Sequence, residues 1–128
     1  MKVAKQLSVM LPNRPGQLAL LCRKLAAAKV NILALSVIDN TEEGFVRLVV
    51  DRVAAARKIL QSGRLGFVET EVILAELMNH PGTMADIAAR LAKAGVNIKY
   101  VYGTAACGSK DGIAVFGFDD IRKAKKAV

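Results

Sequence analysis

"PNRPGQLALLCRKL", residues 12–25, runs from a tight turn straight into a helix-like apolar pattern, and "MNHPGTMADIAARL", residues 78–91, does the same again. Laying the second stretch on the first superposes Asn13, Pro15 and Gly16 on Asn79, Pro81 and Gly82, and Val30-Asn31-Ile32 on Val96-Asn97-Ile98. After a short insertion the match resumes, with Gly44 answering Gly112, Asp51 answering Asp119, and Val53, Ala56 and Leu60 answering Ile121, Ala124 and Val128. Self-similarity of this kind is the mark of a duplicated unit. A chain of 128 residues holds one ordinary domain or two very small ones. The repeat decides for two, residues 1–72 and 73–128.

Within each unit the hydrophobic period changes in a fixed order. Val3, Lys5, Leu7, Val9 and Leu11 alternate with Ala4, Gln6, Ser8 and Met10, so residues 3–11 read as a strand in which Lys5 is the one misfit. Leu18, Leu21, Cys22 and Leu25 then follow the spacing of an amphipathic helix, and Met84, Ile87, Ala88 and Leu91 repeat it. A strand is expected at about 31–39, a turn through Asn40-Thr41-Glu42-Glu43-Gly44, and a second strand at 45–50, which together make a hairpin. A helix near 53–61 follows and stops at Ser62-Gly63. Residues 67–78 form one long β-prone stretch that must hold both the last strand of the first unit and the first strand of the second. Each unit is therefore β-α-β-β-α-β, an α+β ferredoxin-like sandwich, and the second lacks its last strand because the sequence stops in or just after its second helix. That loss would leave the first strand of the second unit partly unpaired along one side.

Composition narrows the functional classes. The residues are 53% hydrophobic with no low-complexity tract, which is the profile of a packed protein. No apolar stretch approaches the roughly 20 residues of a membrane span, and the N-terminus alternates instead of offering a signal core, so a cytoplasmic protein is expected. Cys22 and Cys107 have neither CxxC spacing nor a common context, which argues against a disulfide or a zinc site. The net charge of +8 favours acidic ligands or nucleic acid, but the basic residues are spread along the chain as on a solvated surface. RNA-recognition modules share the ferredoxin-like topology and need several aromatic residues on the open sheet face. The strand at 45–50 offers only Phe45, and the strand at 3–11 offers none, so nucleic acid is disfavoured as a partner. The GxxG string Gly63–Gly66 leads from a helix into a strand and reads as a turn. His80, the only histidine, sits in a loop, and no clustered carboxylates, nucleophile elbow, P-loop or dinucleotide fingerprint is present. No catalytic residue, metal ligand or cofactor is assigned.

The duplicated junction is the candidate site. A strand that turns sharply into a helix leaves the first backbone N–H groups of that helix unpaired at the positive end of its dipole, where a carboxylate or phosphate is welcome. Gly16 and Gly82 remove a side chain that would shield those groups, and Pro15 and Pro81 stiffen the loop. Asn13 and Asn79 add an amide with both donor and acceptor, and Asn31 and Asn97 bring a second amide that could satisfy a zwitterion. Asparagine also caps helices and tolerates left-handed turns for local reasons, and duplication copies structural residues as faithfully as functional ones.

Asn-x-Pro-Gly, an amphipathic helix and Val-Asn-Ile, twice over nearly the whole chain, resemble the ACT domain, and in particular the serine-sensing ACT domain of phosphoglycerate dehydrogenase. The resemblance implies that Asn13 with Asn31, and Asn79 with Asn97, bind an amino-acid effector across the seam between neighbouring modules, with Gly16 and Gly82 admitting the ligand to the loop. The serine-sensing relatives carry a histidine two residues before the first asparagine, where this chain has Leu11 and Leu77, so the resemblance does not extend to serine as the ligand. Two modules with no attached enzyme are similar to the stand-alone tandem ACT proteins. The expectation is a non-catalytic allosteric module, homodimeric, acting on a partner enzyme of amino-acid metabolism. A module that only mediates dimerisation or protein contact, with asparagines that merely cap turns, is the alternative.

Overall fold

The computed structural model describes residues 1–40 and 43–128. Thr41 and Glu42, in the middle of the turn expected at 40–44, lie outside the described residues. The elements run β1 (Lys2–Pro12), α1 (Gln17–Ala27), β2 (Ile32–Asn40), β3 (Glu43–Val50), α2 (Val53–Ser62), β4 (Phe67–Met78), α3 (Thr83–Lys93), β5 (Ile98–Ala105), β6 (Asp111–Phe118) and α4 (Ile121–Ala127). The chain forms two compact units, Lys5–Thr70 and Met1–Ala4 with Glu71–Val128.

In the unit Lys5–Thr70 the strands lie in the order β2-β3-β1-β4, with β4 represented by its first residues. β3 is antiparallel to both neighbours, pairing Leu11 with Gly44 and Val37 with Val46. Alternate residues of β1 and β3 (Leu7, Val9, Leu11; Val46, Leu48, Val50) meet Leu21 and Leu25 of α1 and Ala56 and Leu60 of α2, so both helices cover one face. Fully burying each leucine is worth about 1.5–3 kcal/mol. Lys5, the misfit in β1's alternation, is exposed and lies 3.6 Å from Glu69. Arg57 of α2 holds the same carboxylate through an Nε–H bond of 2.8 Å. The apolar pattern breaks where β1 passes from one compact unit into the other.

The second unit repeats the plan. β4, β6 and β5 lie side by side, pairing Leu77 with Gly112 and Gly103 with Ala114. Ile73 and Ala75, Ala114 and Phe116 pack on Ile87 and Leu91 of α3 and on Ala124 of α4. Among the described residues no strand follows α4. The flank of β4 that the sequence would leave open is instead occupied by the first residues of β1, which belong to this unit. Local periodicity does not name the strand partner of a segment so far away in the chain. Among the described residues no helix is long and apolar enough to cross a membrane.

Candidate functional site

Both duplicated junctions fold alike. After β1, the Arg14 N–H donates to the Pro12 carbonyl (2.9 Å) and the Gln17 N–H to that of Arg14 (3.4 Å). After β4, His80 donates to Met78 (3.1 Å) and Thr83 to His80 (3.4 Å). Each turn delivers a glycine in the left-handed region to the N-cap position, Gly16 at φ 88° and Gly82 at φ 96°. A Cβ at either glycine would meet no atom within 4 Å beyond its chain neighbours, so the backbone angle, not crowding, calls for glycine. Neither helix start carries a side-chain cap. α4 differs, because Asp120 accepts from the Lys123 N–H at 3.1 Å. The N–H groups that open α1 and α3 therefore lack the side-chain acceptor that α4 has, at the positive end of the dipole. α3 alone carries an acid in its first turn, Asp86, a partner for a cation there and an opponent for an anion.

The asparagines divide into two groups. Asn13 is exposed in the first loop, beside exposed Pro15. Asn79 occupies the same place in the second copy, before exposed Pro81, and binds the β5–β6 loop: its N–H donates to Lys110 (2.8 Å) and its Nδ2 to the Ser109 carbonyl (2.9 Å). Asn31 and Asn97 lie at the other end of each module. Pro12 pairs with Glu43 at one end of β3, whereas Ile32 pairs with Val50 at the other. Met78 with Asp111, and Ile98 with Phe118, show the same arrangement in the second copy. An eleven-residue helix separates the two asparagines of a module by roughly 16 Å. Both distal asparagines engage the aspartate after the adjacent strand. The Asn31 N–H donates to Asp51 Oδ1 (2.9 Å), and Asn97 Nδ2 donates to Asp119 Oδ2 (2.8 Å). One module thus does not bring its two asparagines together.

A crevice of about 290 Å³ opens at the start of α3. Asn79 lines it, together with His80, Thr83 and Met84 from the loop and helix and Val101 and Gly103 from β5. His80 Nδ1 lies 3.1 Å from Thr83 Oγ1 and 3.0 Å from the Pro81 carbonyl oxygen, which fixes the ring at the rim. Met78, Met84 and Val101 are exposed apolar side chains around the opening, the kind of surface that marks a binding groove. Asn79 stands out in the sequence because it recurs, and Met84 because it has the spacing of a helix's apolar face, whereas Thr83, Val101 and Gly103 carry no comparable signal; His80 is exposed in the loop, as its place between Asn79 and Pro81 suggests. A glycine inside a strand is the one local signal that pointed to a close approach at Gly103. Among the described residues no cluster of His, Cys, Asp or Glu could hold a metal ion, and Cys22 and Cys107 are free thiols.

Compared with known families, the chain matches the ACT domain pair over residues 1–128. It belongs to the ACT family. The ACT pair is similar in structure to protein BT0572 from Bacteroides thetaiotaomicron, with a TM-score of 0.91 and 30% identity over 98% of this chain and 85% of that one. It is also similar to the ligand-free regulatory subunit of aspartate kinase from Thermus thermophilus (TM-score 0.71, 16% identity, 99% and 93% covered). The corresponding subunit from Thermus flavus is a further likeness (TM-score 0.63, 17% identity, 99% and 93% covered). At those last identities the likeness is one of fold. No curated protein matches the sequence.

Proposed function

We propose that this ACT pair is a non-catalytic regulatory module that binds a small amino acid where ACT modules meet and signals through altered subunit geometry. The observation that carries the reading is the crevice at α3, where a helix start with no side-chain cap, the Asn79 loop and exposed apolar side chains converge. The fold shared with regulatory subunits of aspartate kinase supports a role beside an enzyme of amino-acid metabolism. The ligand-binding set is Asn13, Pro15, Gly16 and Asn31 with Asn79, Pro81, Gly82 and Asn97. Because the two asparagines of a module lie at opposite ends of it, each site needs its distal amide from a neighbouring module, and a homodimer supplies further neighbours. A ligand that spans two modules favours one relative orientation, and that differential affinity is what a switch requires.

A melting-temperature titration with each of the twenty amino acids tests this. A ligand present at 100 times its Kd stabilises the folded form by about 2.7 kcal/mol. Asn13→Ala and Asn97→Ala should each weaken binding with the fold intact. One observation favours the alternative of a pure interaction module: the Asn79 and Asn97 amides are already engaged, on Ser109 and Asp119. That alternative predicts no shift with any amino acid.

A further inference from the structure

We infer that the two copies are not equivalent: the crevice at α3 alone receives the ligand's side chain, and the side chain it receives is uncharged and apolar, of branched-aliphatic or thioether type. The inference rests on the amino-acid reading above and deepens it.

The strand registers make the copies directly comparable. β2 and β3 pair Val37 with Val46 where β5 and β6 pair Gly103 with Ala114. A cross-strand pair of valines in the first copy is thus a glycine and an alanine in the second, and these two form the floor of the crevice. The difference is built into the backbone. A Cβ at Gly103 would stand 2.7 Å from the Ile113 carbonyl oxygen and 3.1 Å from the Ala114 Cβ, so a side chain cannot be added there without moving the strands. In the first copy Val37 is in place and 54% exposed, standing where the second copy is hollow. The rim follows the same trend, because Gln17 answers Thr83 and Arg14 answers His80, each a longer side chain.

The lining states what fits. No lysine, arginine, aspartate or glutamate lines the crevice; above its floor stand the apolar Leu77, Met84 and Val101, with Asn79, His80, Thr83 and Thr104 as the polar part of the lining. Met84 and Val101 are 43% and 42% exposed, so an apolar ligand side chain would remove them from water, whereas a charge placed between them would lose its hydration with no opposite charge to meet it. The volume of about 290 Å³ lies at the lower limit of small-molecule pockets, which run about 300–1,000 Å³, and suits a free amino acid better than a nucleotide.

Isothermal titration of the whole chain with L-leucine, L-methionine, L-valine, L-serine, L-aspartate and L-lysine tests the assignment. The expected result is one ligand per chain and an affinity for an apolar member about tenfold or more above that for serine. Val101→Trp and, from a different element, Met84→Trp should abolish binding while the melting temperature stays near that of the parent. Leu35→Trp, at the position that answers Val101, should leave binding unchanged. Two equal sites per chain, a preference for serine, aspartate or lysine, or equal damage from Leu35→Trp and Val101→Trp would overturn the assignment and leave the amino-acid reading standing. No binding by any of the six, nor by the remaining amino acids, would refute that reading itself and this inference with it.

Discussion

Replacing Gly16 or Gly82 with alanine isolates the backbone's share in the duplicated junction. An L-residue held in the left-handed region costs about 1–2 kcal/mol. Alanine also stiffens the unfolded chain, which returns about 0.4–1 kcal/mol. No steric contribution enters, because a methyl group at either glycine meets nothing within 4 Å. The net cost is about 1 kcal/mol, and with φ of 88° and 96° it should be the same at both sites. A change of that size lowers the midpoint of thermal unfolding by roughly 4 °C for a chain of this length. Both tyrosines, Tyr100 and Tyr102, lie in β5, so tyrosine fluorescence follows the second unit while far-ultraviolet circular dichroism follows both. Gly82→Ala should shift both signals, and Gly16→Ala should shift the dichroism. A stabilised variant, or a loss of several kcal/mol at either position, would refute the account, since the first denies the left-handed strain and the second demands a clash that the structure does not contain.

Leu60→Ala and Leu91→Ala empty fully buried positions in the two cores and should each destabilise by about 3–5 kcal/mol in chemical denaturation. The Glu69 carboxyl is held below its ordinary value of 4.5, first by the hydrogen bond from Arg57 and then, against an opposing desolvation, by the charges of Arg57 and Lys5. A carboxyl whose folded pKa is depressed contributes stability that is fully present above pH 4.5 and is lost as the pH falls through the lower folded value. Glu69→Gln should therefore flatten that part of the stability profile under acid titration and leave neutral-pH behaviour less affected by Arg57→Ala.

The order of elements was open to reading because it rests on local period. Leu18, Leu21, Cys22 and Leu25 mark α1, and the end of the second helix at Ser62-Gly63 agrees with α2 at Val53–Ser62. The fusion of two strands into β4 followed from the repeat alone, since one stretch had to serve both copies. Long-range pairing was hidden. Nothing in "MKVA" announces that it flanks β4, although Lys5, the misfit that follows it, marks where the allegiance of β1 changes. At the site, Asn79 was legible because it recurs in the sequence, whereas the Gly103–Ala114 floor was not, because it exists only when the register sets one strand against the other. The engagement of Asn97 by Asp119 falls between these cases: both residues repeat, but only the antiparallel pairing of β5 and β6 makes them neighbours.

The place of Met1–Ala4 in the second unit bears on how the protein is made. Synthesis proceeds from the amino end, so these residues are made before β4 and must wait for their strand partner until it emerges. The unit Lys5–Thr70 can close while Met1–Ala4 still lack β4. A change confined to Met1–Ala4 would accordingly burden the later-formed half of the protein.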